Sequence, residues 1–252
     1  MKKNKSKKKK SLKIIVYIVL RILVILTMIR QIMQGNITNA ITCLVTLILF
    51  LIPNIIDKKF KIEFPDILEI TVYIFLFSTE ILGEVNEFYV HINNWDAVMH
   101  TLSGFVIAGI GVSLVNILNK ENHLKLKPIY IVFFGFCFSM AISAIWEIFE
   151  YTVDRNLHKD MQKDTIITEI TSVKLNSEGK NKSKTIKIES LEVNGENWLE
   201  KYGGYIDVGI NDTMEDLIVN LAGALIFSAL SYSYFVGKVK TAENFMLRKK
   251  EE

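Results

Sequence analysis

Apolar residues run through this chain in long blocks, not in the alternation of a half-buried strand or the narrow stripe of a soluble helix. A bilayer crossing needs about 20 mostly apolar residues, within a range of about 17–25. Runs of that kind fall at about 12–33, 37–56, 67–85, 95–118, 128–153 and 213–236. The second is the cleanest. The first is interrupted by Arg21 and Arg30, and the third and sixth hold acids. The pattern predicts an all-α polytopic membrane bundle of about six transmembrane helices.

The polar segments divide the chain further. Residues 1–11 read as a basic tail, 12–154 as the first five spans, 155–211 as a long loop, 212–237 as the sixth span and 238–252 as a second basic tail. Within the loop, DTIITEITSVKLN and SKTIKIESLEV are β-prone runs flanking SEGKNK, which predicts a small β-hairpin in an extracytoplasmic insertion. A lone hairpin is marginal in water, so it is expected to pack on the membrane domain or to be partly mobile. A lid and a tolerated insertion are equally open readings.

Composition agrees with this class. Half of the 252 residues are hydrophobic, and the mean hydropathy is +0.28. Cys43 and Cys137 both lie in apolar runs and read as small core residues, not a disulfide. MKKNKSKKKK before the first span resembles the start of a signal peptide. The apolar run behind it is longer than the usual 7–15 residues of such a leader and no small-residue cleavage site follows, so a retained helix is expected.

Charge fixes the expected orientation. Lysines crowd the N-terminal tail, the loop with Lys58, Lys59 and Lys61, the loop with Lys120, Lys125 and Lys127, and the C-terminal tail. These segments alternate with loops that hold Arg30 alone or, as in NEFYVHINN, no Lys or Arg. The excess of positive charge on cytoplasmic loops then puts both termini in the cytoplasm of a bacterial cell, with the chain in its inner membrane. The lipid bilayer is the expected partner. Anionic lipid at the N-terminal lysines is a further one, and no nucleic acid is expected.

With that orientation, the acids gather at one end. Glu80, Glu84 and Glu87 end the third span; Asp96, His100 and Gly104 begin the fourth. Ser143, Glu147, Glu150 and Asp154 share a face of the fifth; Asp212, Asp216, Asn220 and Gly223 line up on the sixth. Each set has helical i, i+3/i+4 spacing, so four helices bring polar stripes to the same outer end. A solvated helix end explains any single acid. It explains the set less well, because carboxylates held together repel unless some are protonated or a cation neutralises them. No Lys or Arg lies within the stripes, and Arg30 is the nearest by depth.

A divalent metal resolves the repulsion. The expected ligands are Asp96, His100, Glu147, Glu150, Asp212 and Asp216, with Glu80, Glu84 and Asn220 secondary. Carboxylates with one imidazole suit Mn, Fe or Zn, or Mg where more oxygens join. Asp96 is alternatively an orienting partner for His100. Glu147 and His100 are the candidate catalytic groups, with water activated by the cation as nucleophile. HExxH, a paired Glu-x-x-His pattern, GxSxG and GxxxxGK[ST] are all missing. Gly104, Gly109, Gly111 and Gly223 are read as sites of close helix approach.

WDAVMHTLSGF, AIWEIFEY and YIDVGINDTMEDLIVNLAGAL, in this order, resemble the YjdF-like family of bacterial inner-membrane proteins. The resemblance covers about 95–225, and the long insertion at about 158–203 and the lysine-rich tail depart from the compact family pattern. It implies a multi-pass membrane protein and carries no activity or catalytic residues.

Three functional readings follow, in this order. The first is a divalent-metal-dependent membrane enzyme acting on a lipid-linked or envelope substrate. The second is a structural, assembly or sensor protein whose acids bind a cation or hold the bundle. The third is a cation or proton transporter, disfavoured because Glu69 and Asn116 alone make no continuous relay.

Overall fold

A computed structural model describes residues 2–250, with side chains from residue 12 onward. The N-terminal lysine side chains, and with them the expected anionic-lipid contact, lie outside the described residues. The helices are α1 (Lys2–Met33), α2 (Ile37–Leu49), α3 (Ile52–Phe60), α4 (Asp66–Leu76), α5 (Phe88–His91), α6 (Trp95–Glu121), α7 (Pro128–Leu157), α8 (Trp198–Tyr202) and α9 (Ile210–Phe235). Among the described residues, five stretches are long and apolar enough to cross a membrane: Leu12–Met33, Ile37–Phe60, Trp95–Glu121, Pro128–Leu157 and Ile210–Phe235. The third expected span, at about 67–85, is not among them. Helix α4 runs straight on into a nine-residue π-helix, Phe77–Val85.

Local chemistry sets the breaks. Gly35 takes a left-handed φ of 76°, and the Asn36 side chain caps α2 by accepting from the Asn39 N–H. Pro65 precedes α4, whose first turn carries Asp66 and Glu69, the sign of charge that a helix N-terminus favours. Asn94, also left-handed, leads into α6.

The chain forms two compact units. One is Met1–Ala144 with Asp216–Glu252; the other is Ile145–Glu215. The first holds three apolar clusters. Val24, Cys43, Phe50, Tyr73, Ile81 and Val85 join α1, α2, α4 and the π-helix. Ala108, Val112, Ile131, Ala224 and Phe227 join α6, α7 and α9. Phe64, Leu68 and Val106 form the third. Many other apolar side chains point outward, including Ile18, Ile22 and Ile25 of α1, as lipid-facing surface requires. Cys137 is one of these. It lies on the opposite side of α7 from buried Gly135 and Ser139, so it is not a core residue, whereas Cys43 is.

The charges inside the spans find partners. Arg21 bonds to the Tyr17 hydroxyl one turn before it and stacks 5.2 Å from that ring centroid. Arg30 donates to Asn86 Oδ1 at 2.6 Å. Lys13 reaches Glu69 at 2.8 Å and Asp66 at 3.4 Å, and the Tyr73 hydroxyl donates to Glu69 at 2.7 Å.

Residues 238–250 do more than trail from the last span. After a turn at Gly237, a 3₁₀ segment (Thr241–Phe245) buries Ala242, and Met246 and Leu247 are buried behind it. The Leu247 N–H donates to Ser113 Oγ at 2.8 Å, well inside α6. Strand β8 (Arg248–Lys249) pairs antiparallel with β1 (Ile62–Glu63).

The second unit carries small strand pairs. The expected hairpin is present as β3 (Glu169–Ser172) against β4 (Lys184–Lys187), with Glu169 opposite Lys187. Strand β2 (Ile166–Ile167) pairs with β7 (Tyr205–Ile206), and β5 (Glu192–Val193) with β6 (Glu196–Asn197).

Candidate metal centre

Helices α6 and α9 touch backbone to backbone. A Cβ on Gly104 would run into the carbonyl of Asn220, and one on Gly223 into that of Thr101. This approach is possible only because both positions lack a side chain. It brings together two stripes that the sequence placed on separate helices: Asp96, His100 and Gly104 on α6, and Asp216, Asn220 and Gly223 on α9.

At the first-turn end of α6 the result is a three-residue group. His100 Nε2 lies 3.4 Å from Asp96 Oδ1 and 3.6 Å from Asp216 Oδ2. One ligand atom from each of the three lies within 4.8 Å of the others. Side-chain exposure falls from 28% at Asp96 to 14% at His100 and 5% at Asp216, so the group is reached from the Asp96 side.

The spacing fits a metal. Good N–H···O bonds measure about 2.7–3.2 Å. Neighbouring ligands bound at about 2.0–2.2 Å to one ion stand about 3–3.6 Å apart. Both His100 separations belong to the second range. The donor set, two carboxylates and an imidazole, suits a divalent first-row ion or Mg.

Toward the C-terminal end of α6 the group is closed off. The Phe105 ring meets Phe227 edge-on at 5.0 Å and Phe245 at 5.1 Å, and the Ala108, Val112, Ala224 and Met246 cluster follows. A second polar cavity of about 280 Å³ in this unit is different in kind. It is lined by Lys13, Asp57, Glu63, Asp66, Glu69 and Lys250, and lysines pair with three of its acids: Lys250 with Asp57 at 2.6 Å, and Lys13 with Glu69 and Asp66.

Of the other expected ligands, Glu147, Glu150 and Asp212 belong to the second unit. Glu147 and Glu150 lie on α7 within the second unit, both buried; Glu147 is 4% exposed and the Trp146 indole donates to Glu150 at 2.9 Å. Asp212 accepts the Lys163 N–H at 2.8 Å, and Asp154 accepts those of Met161 and Gln162. These two acids hold loop backbone. Glu80 is half-buried, while Glu84 and Glu87 are exposed. The π-helix accounts for that difference, because i→i+5 bonding breaks the α-helical stripe on which the three were aligned.

One carboxylate of the second unit went unnoticed in the sequence. Asp207 is buried and accepts from Thr165 N–H and Oγ1, from Gly209 N–H and from Asn211 Nδ2 at 2.6–3.1 Å. Burial pushes its pKa up, but these donors outweigh burial and hold it below the ordinary carboxyl value. The D-x-G-x-N spacing of Asp207, Gly209 and Asn211 is an Asx-turn signature that would have found it.

Long apolar helices, two of which share a carboxylate–imidazole group, define a multi-pass helical membrane protein. The chain belongs to the family described as predicted membrane protein (DUF2238), whose match covers residues 12–237. This agrees with the resemblance carried by the three motifs. No curated protein and no solved structure matches the chain.

Proposed function

We propose that the protein is a divalent-metal-dependent membrane enzyme acting on a lipid-linked or envelope substrate. The observation that carries this reading is the Asp96–His100–Asp216 group, with His100 at 3.4 and 3.6 Å from the two acids. These three side chains would hold the ion. A divalent cation in such a place supplies Lewis-acid polarisation of a carbonyl or phosphoryl oxygen and lowers the pKa of water. The protein's own part is to fix the imidazole between two helices, to compensate the ion's charge with buried Asp216, and to leave Asp96 at the accessible margin. The lysine distribution supports an outward-facing group and cytoplasmic termini. A group at the first turns of a spanning helix favours substrates that sit at the bilayer surface.

The aromatic layer of Phe105, Phe227 and Phe245 supports a one-sided site over a through-going ion path. The backbone contact of α6 with α9 favours, as a second reading, a cation that holds the bundle together. Turnover separates the two. Protein reconstituted in vesicles is expected to convert lipid-linked phosphoester or acyl substrates in a chelator-sensitive way, and His100→Ala is expected to abolish this. Metal bound at full occupancy with no turnover across these substrate classes would favour the structural role.

A further inference from the structure

Asn220 is fully buried, at 0% exposure, in the middle of a spanning helix. Among the described residues, its Nδ2 reaches a weak acceptor, Met140 Sδ at 3.6 Å, and its Oδ1 has no hydrogen-bond partner. Buried side-chain oxygens nearly always have one, so this exception needs a cause. The Ser139 hydroxyl is spent on the Gly104 carbonyl, to which it donates at 3.0 Å.

The direction of that oxygen is informative. It lies 2.9 Å from where a Gly104 Cβ would stand. Gly104 follows His100 by one turn on the stripe Asp96–His100–Gly104, and Asn220 follows Asp216 by one turn on α9. Oδ1 therefore points at the stripe of α6 that carries the histidine. One helical turn is about 6 Å along the backbone, a separation that side chains of this length span.

We infer that Asn220 supplies a fourth ligand, an oxygen, to the cation held by Asp96, His100 and Asp216, and that this oxygen raises affinity for a hard ion, Mn²⁺ or Mg²⁺, relative to Zn²⁺. The inference rests on the metal reading above. An amide carbonyl is a ligand for Mg, Ca and Mn, while Zn sites are built from His, Cys and carboxylate. Gly104 then has a chemical role beside its packing role, since a side chain there would occupy the space of the Asn220 oxygen.

The test is Mn²⁺ binding to the full-length protein in detergent, followed by loss of the free-ion EPR signal and by competition with Mg²⁺ and Zn²⁺. Wild type is expected to bind one Mn²⁺. Asn220→Leu, of similar volume but without the oxygen, is expected to weaken Mn²⁺ about tenfold or more, the scale of losing one supporting group, with Zn²⁺ affected less. Asn220→Asp keeps an oxygen and adds charge, so Mn²⁺ should bind more tightly than in wild type. Should the leucine variant fail to elute as a folded protein, the aspartate variant decides: Mn²⁺ affinity no higher than that of wild type overturns the inference. Wild-type Mn²⁺ affinity in a folded leucine variant overturns it as well, and leaves the three-residue site standing. Wild type that takes up none of the three ions removes the site itself.

Discussion

Asp207 and His100 illustrate two uses of a polar side chain in this chain. Asp207 organises backbone. It gathers N–H groups from Thr165 and Gly209 and ties the two strands together at one end of the β2–β7 pair. Hydrogen bonds to a charged group are worth about 1.5–3 kcal/mol each way they are lost, so Asp207→Ala should loosen residues 163–211 without unfolding the helices. Amide exchange at Thr165–Ile167 is the measurement, and a protection loss confined to that region is the expected result. The pH dependence has a definite sign. A carboxyl held below its ordinary pKa stabilises fully above about pH 4, and that contribution fades as pH falls through the lower folded value. Exchange, corrected for its intrinsic pH dependence, should therefore accelerate in acid in wild type and show no such step in Asp207→Ala.

The i, i+4 pair of Asp96 and His100 was legible in the sequence, as was Asp216 on its own stripe. What sequence spacing does not carry is which stripes meet. Asp212 shares the stripe of Asp216, yet its carboxylate is turned to the Lys163 N–H. Asp212 thus also anchors the 158–165 segment, a role that the stripe alone does not announce.

Among the elements, the α6–α9 contact matters most. Gly104→Ala puts a methyl group against the Asn220 carbonyl, and overpacking of this kind costs about 1–3 kcal/mol. The helices must separate, so the variant should melt lower and bind metal more weakly; unchanged values of both would refute the tight approach. The third span shows where element-level reading failed. Its hydropathy announced a crossing, but nothing in FSTEILGEV signals a π-helix. An α-periodic projection therefore aligned Glu80, Glu84 and Glu87 when the backbone does not. Gly83 fits there under the Tyr89 ring.

For the whole molecule, hydropathy carried the architecture because the bilayer leaves so few solutions for an apolar run. The C-terminal segment escaped that logic. KVKTAENFMLRKK reads as a charged tail, since its apolar stretch is only Phe245–Met246–Leu247. Those residues nevertheless fill the space between α4, α6 and α9. The energetics separate anchor from ornament. The flanking ion pairs, Lys250 with Asp57 and Lys249 with Glu121, are part-exposed, and such pairs contribute about 0–1 kcal/mol. Burying Leu247 contributes more: Leu247→Ala is expected to cost about 2–5 kcal/mol, and Lys249→Ala under about 1 kcal/mol. Thermal unfolding in detergent compares them directly. Orientation is tested at the same scale. Reporters at residue 35 and in the 176–182 turn should fall on one side of the membrane, and reporters at the two termini on the other.

The most direct measurement is the metal content of protein purified without chelator, by elemental analysis, for wild type, His100→Ala and Asp216→Asn. The account predicts near one divalent ion per folded wild-type chain and its loss in both variants. Folded wild type that stays metal-free after Mn²⁺, Mg²⁺, Zn²⁺ and Fe²⁺ are offered would contradict it.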